Sequence, residues 1–176
     1  LIFGSQIVHG VNTLLTALIF LSITKKNIKI KNISCNFYKP IYLKKKINFY
    51  LNEKNNEYYI YVKSGNIVNS IFHINKLDLQ LKLNIKYKNY KKNIIKKINV
   101  KNILNHDCNL NFANKFFLIK SNNFKTKNRY KKLLNILSDR EIKDILSLSF
   151  FVGMVCPGKY SLLAKINLNF EKKQKV

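Results

Sequence analysis

Residues 3–18 read Phe3-Gly4-Ser5-Gln6-Ile7-Val8-His9-Gly10-Val11-Asn12-Thr13-Leu14-Leu15-Thr16-Ala17-Leu18, a loop with two glycines that continues directly into an apolar segment. From Val11 to Ile23 the apolar residues recur at the spacing of one helical face, and Phe20 and Ile23 add apolar side chains elsewhere around the axis. A helix that is apolar on most sides has to be buried. The sequence therefore predicts a central helix over residues 11–23 with other elements packed around it.

The entry to this helix is a candidate binding site. The first turn of a helix carries backbone N–H groups without an internal partner, and Gly10 presents no side chain that would keep a ligand away from them. Such a turn can hold a carbonyl oxygen that gains negative charge. The alternative interpretation is purely structural, in which Gly10 serves helix packing and His9 is a hydrogen-bonded residue at the helix entry.

A second stretch follows the helix and reads Ile33-Ser34-Cys35-Asn36-Phe37-Tyr38-Lys39-Pro40-Ile41. Taken with residues 3–11, it resembles the family of MaoC-like acyl dehydratases and (R)-specific enoyl-CoA hydratases. The Ile-Val-His-Gly run is similar to the helix entry of that family, and Phe-x-x-Pro-Ile is similar to the end of its next strand. The resemblance implies an α+β chain with the hot-dog fold, in which a curved antiparallel sheet wraps a long central helix.

The resemblance also implies a reaction, the addition or removal of water on 2-enoyl or 3-hydroxyacyl thioesters of CoA or an acyl carrier protein. In the family an Asp and a His activate water, and amides at the helix entry hold the thioester carbonyl. The implied substrate-binding residues are His9, Gly10 and Val11. The Asp-x-x-Asn-Pro-x-His motif is absent from this sequence, so we expect the dyad upstream of Leu1. Leu18 stands where some members have a hydroxyl, and Thr16 is two positions away. No cofactor and no metal is predicted.

The C-terminal part repeats the order of the N-terminal part. Ser138-Asp139-Arg140-Glu141 is a capping box that opens a helix, Pro157-Gly158 predicts a turn, and an alternating strand ends in Asn169-Phe170, as the first ends in Asn36-Phe37. We predict a first hot-dog unit over 1–88 that lacks its N-terminal part, a linker and irregular segment over 89–132, and the start of a second unit over 133–176. The expected assembly is a homodimer or an intramolecular double hot-dog.

Within the first unit, after the central helix, the sequence predicts strands. Residues 27–38 alternate with a change of phase that a β-bulge near Asn32 would absorb. Asn55-Asn56 predicts a hairpin turn, Ser64-Gly65-Asn66 predicts the next turn, and residues 67–74 and 77–87 are typical of strands.

The formal net charge of +25 is compatible with a polyanionic partner. However, all but two of the 33 basic residues are lysine, and they are spread along the chain, so we favour solvated surface positions and expect no specific nucleic acid. The three cysteines have no metal-binding or disulfide pattern, which favours a reducing cytoplasm. The apolar run of residues 7–23 is short for a membrane span.

Two further histidines have structural interpretations. His106-Asp107 is a neighbouring pair on a predicted loop, and His73 lies on a predicted strand. Three functions remain open from the sequence: a hydratase or dehydratase, a non-catalytic hot-dog module for binding or dimerisation, and a basic nucleic-acid-binding protein.

Overall fold

The computed structural model describes residues 6–25, 28–77, 128–152 and 163–170. Within these ranges the protein is an α+β arrangement of helices on a five-stranded antiparallel sheet with the strand order β2-β3-β4-β1-β5. The elements in chain order are α1 (Gly10–Thr24), β1 (Ile30–Phe37), β2 (Asn48–Lys54), β3 (Glu57–Ser64), β4 (Ile67–Lys76), a 3-10 helix (Asn128–Asn135), α2 (Asp139–Phe150) and β5 (Lys165–Asn169).

Helix α1 is the centre of the hydrophobic core. Leu14, Leu18 and Leu21 are fully buried, because the helix is covered on more than one side. The sheet supplies Ile33, Cys35, Ile60, Val62, Phe72 and Ile74 to the same cluster, and the 3-10 helix and α2 supply Leu133, Ile136, Leu137, Ile142 and Ile145. The predicted buried central helix is confirmed, and it begins at Gly10.

The connections between strands follow local turn chemistry. Asn55 and Asn56 both adopt positive φ angles, 49° and 64°, which is the two-residue turn that matches the twist of a β-hairpin. Gly65 has a φ of 58° between β3 and β4, where a residue with a side chain would be strained. The register of β1 against β4 shifts between Ile30 and Asn32, so the predicted bulge is confirmed.

Helix α2 begins at the predicted capping box. The Ser138 hydroxyl accepts the Glu141 N–H at 3.3 Å, and the Glu141 carboxylate accepts the Ser138 N–H at 2.6 Å. The 3-10 helix occupies the end of the segment 89–132 that was predicted as linker, and the rest of that segment lies outside the described residues. The predicted strand 77–87 and the Pro157-Gly158 turn also lie outside them, except for Leu77.

An ion cluster ties the C-terminal end of α1 to the sheet. The Glu53 carboxylate on β2 accepts Lys25 Nζ at 2.6 Å and Lys76 Nζ at 2.7 Å. These two hydrogen bonds, Lys25 first, lower the pKa of Glu53 to about 2. The lysine charges also lie over the Tyr58 ring, 5.7 and 4.4 Å from its centroid.

The pairing of β1 with β5 has a local two-fold symmetry. Ile33–Phe37 and Ile166–Phe170 have the related sequences Ile-Ser-Cys-Asn-Phe and Ile-Asn-Leu-Asn-Phe, and the midpoint of the pairing places Ser34 opposite its counterpart Asn167. The hydrogen bonds at the two ends also correspond. Phe37 N–H donates to the Ala164 carbonyl at 2.8 Å, and Phe170 N–H donates to the Lys31 carbonyl at 2.9 Å.

This register predicts a cross-strand disulfide. Ser34 and Asn167 form a non-hydrogen-bonded pair, for which a Cα separation of about 4.5 Å is usual and allows a disulfide. With Cys108 and Cys156 replaced by serine, the Ser34→Cys/Asn167→Cys variant should form the 34–167 disulfide on mild oxidation, detected by peptide mapping without reduction. Cys35 should not compete, because burial raises the pKa of its thiol.

The control pair is Ser34→Cys/Asn169→Cys, which is two residues out of register and should oxidise more slowly. Equal rates for the two pairs would show that β5 does not pair with β1 in this register.

Candidate functional site

The residues that lead into α1 meet the segment that follows β1 at the helix entry. The Val8 N–H donates to the Ile41 carbonyl at 2.7 Å, and Ile7 forms an isolated antiparallel bridge with Tyr42. The chain leading into the helix is therefore held against the segment that follows β1. This pairing fixes the position of His9, which is the N-cap residue of α1.

Gly10 lies where three parts of the chain come together. A Cβ atom built on Gly10 would be 3.1 Å from Cε1 and 3.3 Å from Cζ of the Phe37 ring, and 3.4 Å from Cβ of Leu163. The packing interpretation of Gly10 is therefore supported by this geometry. The binding interpretation concerns the backbone N–H of Gly10 and not the position of a Cβ. This N–H has no acceptor in the described part of the chain.

His9 caps the first turn through both its backbone and its ring. Its carbonyl accepts the N–H groups of Asn12 at 2.9 Å and Thr13 at 3.3 Å, and Nδ1 accepts the Val11 N–H at 3.4 Å. Nδ1 is also 3.3 Å from the Ser149 hydroxyl of α2. Since a backbone N–H can only donate, Nδ1 has to be the unprotonated nitrogen, and Ser149 donates to it as well.

This arrangement favours one tautomer of the neutral ring. A neutral imidazole that accepts at Nδ1 carries its proton on Nε2, and Nε2 has no partner among the described residues. Burial lowers the pKa of His9 below its ordinary value, because the charged ring would lose solvation. Burial therefore favours the neutral ring, and the neutral ring has one N–H group, at Nε2, available as a donor.

The three predicted substrate-binding residues differ in what they offer. His9 and Gly10 are partly accessible, whereas the Val11 side chain is buried in the core and only its backbone N–H reaches the helix entry. That N–H already contacts Nδ1, at a distance that is long for a hydrogen bond. Binding by all three residues remains a prediction. The Thr16 hydroxyl donates to the Asn12 carbonyl at 2.8 Å, and Leu18 is part of the core.

The sequence did not indicate Ser149 as a neighbour of His9. The two residues are 140 positions apart, and the capping box located α2 without specifying which of its sides faces α1. A hydroxyl that contacts a distant histidine leaves no local pattern in the sequence.

A second polar cluster lies on the sheet, among Glu57, Tyr59 and His73. The Glu57 carboxylate is 2.8 Å from His73 Nε2 and accepts the Tyr59 hydroxyl at 2.8 Å, while the Tyr59 and His73 rings stack at 4.6 Å. Both hydrogen bonds, that of Tyr59 first, lower the pKa of Glu57. His73 therefore makes hydrogen-bonding and stacking contacts within the sheet, as its structural interpretation requires. The His106-Asp107 pair lies outside the described residues.

No set of three His, Cys, Asp or Glu side chains in the described ranges is placed to hold a metal ion. None of the described helices is both long enough and apolar enough to cross a lipid bilayer. Comparisons with protein-family models, curated proteins and solved structures give no match for this chain.

The lowered pKa of His9 predicts a pH dependence of the free energy of unfolding. Below about pH 6.5 an unfolded chain protonates His9, whereas the folded chain keeps it neutral to a lower pH. The unfolded state then binds more protons, so the free energy of unfolding should fall as the pH is lowered from 6.5 toward the folded pKa. His9→Asn retains an N-cap side chain but cannot titrate, and should lose this contribution in urea denaturation at a series of pH values.

His73→Asn serves as the matched control and should retain the contribution of His9. A His9→Asn variant with the wild-type pH profile would show that folding does not lower the pKa of His9.

Proposed function

We propose that this protein is a hydratase or dehydratase of the MaoC-like type. Its substrates would be 2-enoyl or 3-hydroxyacyl thioesters of CoA or an acyl carrier protein. The observation that carries the proposal is the pair of donors at the entry to α1. The Gly10 N–H and the Nε2–H of His9 both lack an acceptor in the described part of the chain. The buried helix on an antiparallel sheet is compatible with a hot-dog fold.

These donors suit the charge that develops in the reaction. In the hydration, the oxygen of water adds to C3 of the enoyl thioester, and the electron pair of the double bond moves toward the carbonyl group. The resulting enolate carries its negative charge on the carbonyl oxygen, and a proton then adds to C2. Fixed N–H donors at a helix N-terminus stabilise that oxygen. A neutral His9 can donate a hydrogen bond from Nε2 to this oxygen without transferring its proton.

The proton transfers need further groups. The resemblance implies an Asp and a His for that purpose, in a motif that this sequence does not contain. The residues at the α1 entry would bind and polarise the thioester.

The second candidate is a non-catalytic hot-dog module for binding or dimerisation. It is favoured by the local two-fold symmetry of β1 and β5, because a symmetric strand pair is what two similar units form when they associate edge to edge. In this view residues 133–176 start a second unit that joins the first within one chain. The packing at Gly10 would then serve only to seat α1.

Binding of an acyl thioester tests the proposal on the 176-residue chain. Addition of butyryl-CoA, which lacks the reactive double bond, should shift the amide NMR signals of Gly10 and Val11 and leave the Glu141 amide at the α2 entry unchanged. His9→Asn should weaken the binding, since it removes the Nε2–H donor, whereas Asn12→Ala on the exposed side of the same turn should not.

Hydration of crotonyl-CoA by the full-length gene product is the companion assay. Loss of one donor to the oxyanion should lower kcat by about 10²-fold or more in His9→Asn. Shifts confined to other residues, or no binding of any acyl-CoA, would contradict the thioester site. Binding without turnover by the full-length gene product would favour the non-catalytic module.

A further inference from the structure

The face of the sheet that points away from α1 has an unusual composition. We call it the outer sheet face, and the strand register arranges its side chains in three rows that cross all five strands. In the order β2-β3-β4-β1-β5, these rows are Lys54, Glu57, Asn75, Asn32 and Asn169; Asn52, Tyr59, His73, Ser34 and Asn167; and Tyr50, Tyr61, Ile71, Asn36 and Lys165.

Aromatic rings occupy adjacent positions at one side of this face. Tyr50 lies directly opposite Tyr61, and Tyr59 lies opposite His73, with their rings stacked. Tyr50 is 50% exposed, and Lys63 Nζ lies 5.2 Å from the centroid of its ring. Rings on neighbouring strands of an exposed sheet form a surface on which flat molecules can stack.

Amide and ammonium groups surround these rings. The rows contain asparagine on β1, β2, β4 and β5, and lysine at Lys54 and Lys165. The one carboxylate in the rows, Glu57, is hydrogen-bonded to Tyr59 and His73. The face therefore presents amide groups and positive charge while its negative charge is already engaged, within a chain whose net charge is +25.

We propose that the outer sheet face binds single-stranded nucleic acid without base-sequence preference. Bases would stack on Tyr50 and Tyr61, asparagine amides would contact their edges, and Lys54, Lys63 and Lys165 would contact phosphates. Unstacked bases are available only in single strands, which favours them over a duplex. Lysine acts as a point charge without the geometry of the arginine fork, so contacts to the backbone should not select a sequence.

This function is independent of the thioester site. The α1 entry and the outer sheet face lie on opposite sides of the sheet, since inner residues such as Ile60 and Phe72 alternate with Tyr59, Tyr61, Ile71 and His73 along the same strands. An acidic protein would also be attracted by the charge, so an acidic peptide is included in the binding test.

Fluorescence anisotropy with labelled oligouridylate and oligothymidylate tests the proposal. Affinity should fall with salt, with a log-log slope of about 0.7 for each phosphate contacted. Tyr50→Ala/Tyr61→Ala should weaken binding by about tenfold or more, because base stacking is lost. Tyr50→Phe/Tyr61→Phe should retain it, since the rings remain. Tyr38→Ala, a change at a tyrosine that is 58% exposed outside the rows, is the matched control and should bind as the wild type does.

Three results would overturn the proposal. The first is no salt-dependent binding of either oligonucleotide, and the second is binding that the double alanine variant leaves unchanged. The third is equal or tighter binding of duplex DNA or of an acidic peptide, which would indicate attraction by net charge alone. Circular dichroism of the double alanine variant excludes unfolding as the cause of a loss.

Discussion

The close approach at Gly10 is the constraint on which the rest of this structure depends. The Phe37 ring at the end of β1 and Leu163 just before β5 both lie against the point where a side chain on Gly10 would begin. Because that residue has no Cβ, three distant parts of the chain come this close without displacing the Phe37 ring. Once the N-terminal end of α1 is seated there, and its other end is tied by Lys25 to Glu53, the helix is held along the sheet from end to end.

The sequence predicted the elements that depend on local chemistry and failed where contacts are distant. The Asn55-Asn56 turn, the bulge before Asn32 and the Ser138 capping box each follow from a few adjacent residues. The burial of α1 followed from its composition. By contrast, Ser149 beside His9 and the Glu57, Tyr59 and His73 cluster depend on helix packing and strand register, which adjacent residues do not encode. Residues 78–127 lie outside the described ranges, so the predictions made there remain predictions.

The entries to the two α-helices show how similar elements can differ in chemistry. At α2 the carboxylate of Glu141 closes the first turn, and Asp139 adds a second negative charge beside it. At α1 there is no acidic residue in the first turn, and the cap is an imidazole whose pKa is lowered by burial. A negative oxygen would be repelled by the acidic residues at the α2 entry and stabilised at the α1 entry. If the chain contains two related units, only the helix entry of the first lacks acidic residues in its first turn.

Amide hydrogen exchange along α1 tests the central claim most directly. If α1 is the core of the molecule, the amides from Leu14 to Leu21 should exchange as slowly as those of Ile60 on β3 and Phe72 on β4, because all of them would open only on global unfolding. Exchange of the α1 amides well ahead of the strand amides would mean that the helix lies at the surface. The account of the fold and of the site at its entry would then be wrong.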